Sequence, residues 1–220
     1  MNETLVRAEH LHRSYRTSDS EIVALRDATC CISAGARIAV TGPSGSGKST
    51  LIQIIAGIDT ETSGSIAWPG LGAKGGLRPS KIGMVFQNES LLPPLTALEN
   101  VQVPLLLQGT QPEDARSAAR EALERIGLSD VADKLPEELS GGQAQRIAFA
   151  RALITAPRLI LADEPTGQLD RATAHHFFDV LLQSLAKTDT ALVIATHDAS
   201  IAQRMHVTWR MQHGALETDS

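Results

Sequence analysis

Several things are scarce in this chain of 220 residues, and each scarcity removes a class of protein. Cysteine occurs only at the adjacent positions Cys30 and Cys31. Neighbouring residues supply neither a disulfide framework nor the spaced pairs of a zinc site, so both are read as reduced strand residues. Long apolar runs are also missing. Hydrophobic residues make up 42% of the chain but fall in short stretches such as 105–107 and 192–195. None approaches the roughly 20 residues that span a bilayer. The opening Met1-Asn2-Glu3-Thr4 has neither the basic start nor the apolar stretch of a secretory signal, and the chain is expected to stay in the cytosol. Positive charge is not in excess either. A net charge of −5 offers no basic field, so no nucleic-acid partner is expected.

What is present is enough for one α/β unit with a small appendage. Residues 5–32 mix apolar and polar positions around turn-like residues at 17–21, which predicts two antiparallel strands. A short apolar run at 37–40 enters a Gly/Ser-rich stretch, and 51–56 continues as a buried helix. Further strand patterns lie at 65–68 and 82–86, separated by a glycine-rich link. The middle turns helical: Thr110 with Glu113 reads as a capping box, and Ala115, Ala118, Ala119, Ala122, Leu123 and Ile126 share one helix face. A second helix is predicted from Ser140 to about Thr155. Beyond it strand 159–163, helix 171–185 and strand 192–196 alternate. Such alternation predicts a mainly parallel sheet flanked by helices, with residues 88–156 as a helical insert.

Gly42-Pro43-Ser44-Gly45-Ser46-Gly47-Lys48-Ser49-Thr50 carries a complete phosphate loop between a strand and a helix. Its glycines let successive backbone N–H groups turn toward phosphates, and the helix N-terminus adds its positive end. Lys48 is placed to neutralise the β- and γ-phosphates, and Ser49 to offer a hydroxyl to Mg²⁺. The plain alternative is a flexible Gly/Ser turn, which the strand-to-helix context disfavours. At the end of strand 159–163 the chain delivers Asp163 and Glu164, where ligands bind in open α/β sheets. Asp163 suits the Mg²⁺ shell, and Glu164, aimed differently, can deprotonate an attacking water. Taken alone, Asp-Glu-Pro could equally cap the next loop.

Leu139-Ser140-Gly141-Gly142-Gln143 makes a second anion-binding helix start, and with it the chain resembles the ABC ATPase family. An ordinary N-cap at Ser140 is the bland alternative. The resemblance implies a P-loop ABC ATPase core over residues 1–87 and 157–220, with 88–156 as its helical subdomain. It also implies that the signature segment closes on ATP held by a second ATP-binding subunit, in a head-to-tail and most simply homodimeric sandwich. Further roles come from the same resemblance. Tyr15 matches the aromatic residue that stacks on adenine, although the only tyrosine could also be a core residue. Gln87 matches the glutamine that touches Mg²⁺ and the water, His197 the switch histidine on the γ-phosphate, and Asp170 the loop crossing the dimer interface, where Gln168 replaces a more usual Asn.

Phe86-Gln87, Leu91-Leu92-Pro93-Pro94-Leu95-Thr96-Ala97-Leu98-Glu99-Asn100-Val101, Pro104-Leu105-Leu106 and Asp163-Glu164-Pro165-Thr166-Gly167 are similar to the lipoprotein-releasing, macrolide-export and cell-division group of that family. The likeness implies an ATPase bound peripherally on the cytoplasmic side of the membrane to separate transmembrane permease chains, with residues after Gln87 forming a groove for them. Core packing is the competing reading of that stretch. The short link 69–81, and Ala144 where a second Gln is common, depart from the group. A soluble ABC ATPase of DNA repair or translation is the alternative, disfavoured because such proteins carry a long coiled coil or two ATPase units.

Overall fold

The computed structural model describes residues 2–16, 20–87, 91–167 and 169–218. Residues 17–19 of the expected turn-like stretch, the first residue of the expected insert, Asn88, and Gln168 lie outside them.

Two long strands, β1 (Thr4–Arg16) and β2 (Glu21–Ser33), pair antiparallel as expected. After β3 (Arg37–Thr41) and α1 (Lys48–Ile55), strand β4 (Ser63–Ala67) joins the other edge of β1 to give a sheet in the order β2-β1-β4. Strand alternation separates the two cysteines: Cys30 points inward with Ala28 and Ile32, and Cys31 faces out. Burial pushes the Cys30 thiol up to about 12.

The second sheet runs β5-β6-β7-β3-β8-β9, built from β5 (Ile82–Val85), β6 (Leu159–Asp163), β7 (Ala191–Ala195), β3, β8 (Val207–Gln212) and β9 (Ala215–Thr218). All neighbours are parallel except β8 and β9. β6 and β7 are buried throughout, because both faces of the sheet are covered and each strand reads as a continuous apolar run. Leu159 and Leu161 pack toward α1 with Ile52 and Ile55. Ile160 and Ala162 pack on the opposite face with Phe149 and Phe178. Strands β8 and β9 were not expected from sequence. Their residues mix charge with apolar positions, and only the neighbouring β3 completes a sheet for them.

Between β5 and β6 lie α2 (Ala97–Leu107), α3 (Pro112–Arg125) and α4 (Gly141–Leu153); α5 (Arg171–Leu185) and the short α6 (Ala199–Ala202) follow later in the chain. The capping box expected at Thr110 is not formed. Helix α3 starts after Gln111 with Pro112 in its first turn, while the Thr110 amide donates to the Leu105 carbonyl and so closes the end of α2. Proline explains the shift, since its fixed φ and missing N–H suit the first helical position. The box expected at 110 is found instead at Thr96 and Glu99, which open the unanticipated helix α2. The face expected for α3 holds, with Ala115, Ala119 and Leu123 buried. Phe149 of α4 meets Phe177 of α5 with ring centres 4.8 Å apart, tying the inserted helices to the sheet layer.

Candidate functional site

Three parallel strands end at one cleft of about 560 Å³. β3 delivers the loop 42–47 to it, β6 ends in the buried Asp163 and is followed by Glu164 on the cleft wall, and β7 is followed by His197 on the same wall. The loop is glycine-dependent at two places. A Cβ on Gly42 would lie 2.2 Å from the Met211 carbonyl oxygen, and one on Gly47 2.3 Å from that of Ala24, so the backbones of β8 and β2 both press on the loop. Gly45, also at positive φ, has open space before it. Lys48 is the first residue of α1, and its buried Nζ donates to the carbonyls of Gly42 and Pro43 at 2.9 and 3.1 Å. The loop therefore encloses a fixed cation at a helix N-terminus.

Glu164 stands just past β6 with φ at 46°, a left-handed conformation uncommon for a side-chain-bearing residue. Its amide donates to the Ala195 carbonyl at 2.9 Å, which anchors the turn to β7. Its carboxylate is held from two directions: Oε2 lies 2.8 Å from Nδ1 of His197, and Oε1 lies 3.9 Å from Nζ of Lys48. His197 is itself largely exposed on the cleft side. Asp163 is buried, and that burial raises its carboxyl above the usual aspartate range; the Glu164 charge adds to the rise, while the Ser49 hydroxyl and Lys48 act against it. Its Oδ1 is buried without a hydrogen-bond partner among the described residues. An open carboxylate oxygen beside the Ser49 hydroxyl is a hard-oxygen donor set, which fits Mg²⁺.

The cleft wall brings together most of the residues predicted from sequence: Ser44, Gly45, Gly47, Lys48, Ser49, Thr50, Gln87, Glu164 and His197 all line it. Ser46, within the loop, has its hydroxyl buried with no hydrogen-bond partner among the described residues. Tyr15 is not on the wall. It is half-buried, and its hydroxyl donates to Asp59. Its register partner Ile22 does line the cleft and is 58% exposed, a contribution with no motif in the sequence to signal it. Ser140 to Gln143 also lie off this wall. Ser140 is exposed and caps α4, accepting from the Gln143 amide at 3.2 Å while the Gln143 side chain accepts from the Ser140 amide at 2.9 Å. Asp170 caps α5 by accepting from the Thr173 amide at 3.0 Å.

A phosphate loop at the ends of parallel strands, with an acidic pair and a histidine facing its lysine, defines a nucleoside-triphosphate hydrolase. The ABC transporter family model matches residues 25–167, and the chain belongs to that family. It is 44% identical over 223 residues to the lipoprotein-releasing system ATP-binding protein LolD of Legionella pneumophila (strain Paris), covering 98% of both chains. LolD of Bordetella pertussis is 41% identical, with 97% and 96% covered. Among solved structures, the dimeric form of MJ0796, a bacterial ABC transporter cassette, superposes with a TM-score of 0.90 at 35% identity and covers 97% of both chains. A post-hydrolysis dimer of the same cassette bound to ADP and Pi gives 0.90 at 34%, with 97% and 98% covered. The protein is thus an ATP-binding and ATP-hydrolysing subunit of an ABC transporter. No helix among the described residues is long and apolar enough to cross a membrane.

Proposed function

We propose that this subunit powers the release of lipoproteins from a membrane, as the name of its LolD relatives describes, and that it works from the cytoplasmic face, bound there through its permease. The observation that carries the catalytic part is Glu164 held between Lys48 and His197. Glu164 takes the proton of the attacking water, His197 fixes the carboxylate and reaches the γ-phosphate, and Lys48 with the loop amides neutralises the β- and γ-phosphates. Gln87 bounds the cleft where the water stands. Asp163, Ser49 and Gln87 would hold Mg²⁺, which when bound neutralises phosphate charge. Tyr15 and Ile22 form the platform for the adenine ring.

The signature residues Ser140 to Gln143 complete the site of the partner subunit. The exposure of Ser140 and the absence of all four residues from this chain's own cleft wall support that role, since one chain has no use for two γ-phosphate cradles. Residues 88–156 act as the helical subdomain that carries this segment. Leu92, in the loop before α2, and Leu107, the last residue of α2, are 43% and 72% exposed and supply apolar surface for a permease helix. Asn100 holds the loop before α2 in shape: its side-chain amide donates to the carbonyls of Leu92, Leu95 and Thr96, and its Oδ1 accepts from the Leu92 amide at 2.7 Å.

The test is reconstitution of the subunit with its co-purifying permease in lipid vesicles that carry a membrane-bound lipoprotein. ATP-dependent transfer of the lipoprotein to the aqueous phase, lost with Glu164→Gln, is the expected result. An active complex that turns over ATP and leaves the lipoprotein in the vesicles sinks the substrate assignment.

A further inference from the structure

Outside the phosphate cleft, a polar cluster of Arg13, Asp59 and Thr60 surrounds Tyr15. The Tyr15 hydroxyl donates to Asp59 Oδ2 at 2.7 Å. Arg13, two residues earlier on the same face of β1, meets the same carboxylate side-on, with Nε to Oδ2 at 3.0 Å and Nη2 to Oδ1 at 2.7 Å. The Arg13 guanidinium also lies over the Tyr15 ring, 4.4 Å from its centre. Asp59 is fixed in turn by the Thr60 amide at 2.7 Å and by its own amide, which donates to the Gln53 carbonyl of α1 at 3.2 Å. The carboxylate therefore accepts from three residues at once, and the carbonyl its own residue bonds belongs to the helix whose first residue is Lys48.

We infer that Arg13 and Asp59 are positioning residues for nucleotide binding: together they lock the Tyr15 ring, cover one of its faces with the guanidinium, and leave the other as the stacking surface for a purine base. The inference rests on the reading of Tyr15 as the base platform and adds the device that holds it. Three facts favour a locked platform over plain packing. An aromatic side chain on a strand has two free torsions, and here the hydroxyl contact and the stacked cation restrain both. The register sets Tyr15 opposite Ile22, whose exposed side chain lines the phosphate cleft, so the ring stands at the edge where a base attached to loop-bound phosphates arrives. The clamp is also anchored on α1 itself. A helix of eight residues is a rigid spacer of about 12 Å, so the distance between the base platform and the phosphate loop is held constant.

The experiment measures ATP hydrolysis by the permease-bound complex together with inhibition by inorganic tripolyphosphate, which has no base, for Tyr15→Ala, Tyr15→Phe, Asp59→Asn and Arg13→Gln. Asp59→Asn and Arg13→Gln are expected to raise KM for ATP about tenfold, the loss of a charged hydrogen bond, while kcat and the tripolyphosphate inhibition constant change by less than about twofold. Tyr15→Phe removes a single oxygen and keeps the fold, so it carries the same expectation even where an Asp59 variant folds poorly. If Tyr15→Ala raises KM and the Asp59, Arg13 and Tyr15→Phe changes do not, the clamp is refuted and the platform stands. If Tyr15→Ala itself leaves KM unchanged, the platform reading fails and the clamp with it. Equal losses of ATP and tripolyphosphate binding show a merely structural role and also overturn the inference.

Discussion

Nδ1 of His197 and Oε2 of Glu164 stand 2.8 Å apart, although the two residues leave different strands of the sheet and are separated by 33 positions in the chain. The His197 amide faces the same oxygen at 3.3 Å. A carboxylate fixed by one residue's backbone and ring cannot rotate freely, which is what a base aimed at one water requires.

Glu164→Gln keeps the shape of that side chain and its reach to His197 but cannot accept a proton. Turnover is expected to fall by at least about a hundredfold, the usual contribution of a positioned base. Loss of one carboxylate charge per site also eases closure around the ATP phosphates. The variant should therefore accumulate as an ATP-bound dimer, visible by light scattering with and without nucleotide. A variant that stays monomeric at saturating ATP, or that turns over at the wild-type rate, would falsify the assignment of Glu164.

The separation of Ser140 from the cleft of its own chain leads to a complementation test. Lys48→Ala removes the main cation of the phosphate loop, and Ser140→Arg puts a long cation where the partner's phosphate should dock. Each protein alone is expected to hydrolyse ATP at a few per cent of wild type or less. Mixed together they form dimers with one site free of both changes, and measurable activity should return. A mixture as inactive as its components contradicts sites shared between subunits.

Leu92 is the better place to probe the permease surface, since Leu95, half-buried, has its carbonyl bonded to the Asn100 side chain. Leu92→Glu adds charge to an exposed position, so the isolated chain should keep its melting temperature within a few degrees and bind ATP normally. Burying that charge against an apolar helix is costly, and co-purification with the permease should drop severalfold. Unfolding of the isolated variant identifies the position as core.

Acid sensitivity follows from Asp59. Burial alone raises its pKa, but the hydrogen bonds from Tyr15 and the Thr60 amide, with the charge of Arg13, outweigh that and hold the carboxyl below the usual aspartate range. A carboxyl with a depressed folded pKa contributes stability that is present above its unfolded pKa, about 3.9, and is lost as pH falls through the folded value. Asp59→Asn should accordingly melt at lower temperature than wild type at pH 7, and the gap should close progressively as pH drops below about 4. A gap independent of pH across that range shows that the carboxylate charge is not what stabilises the cluster.

The local chemistry was legible in the chain itself. Gly42 to Thr50, Asp163 with Glu164, and Ser140 to Gln143 are contiguous segments whose neighbours set their conformation, so loop, strand end and helix cap could be read residue by residue. Strands β6 and β7 were equally plain, because burial on both faces writes an unbroken apolar run. What the chain did not disclose depends on contacts between distant segments. Thr110 and Thr96 both precede a glutamate by three residues, and the fold chose between them through Pro112 and the closing bond from Thr110 to Leu105. Ile22 enters the cleft, and Asp59 reaches Tyr15, only because bulges set the register of β1 against β2 and because α1 ends beside β1. Sequence alone determined which groups could handle a triphosphate; tertiary structure decided which of them meet, because register and helix placement are settled by the packing of the whole core.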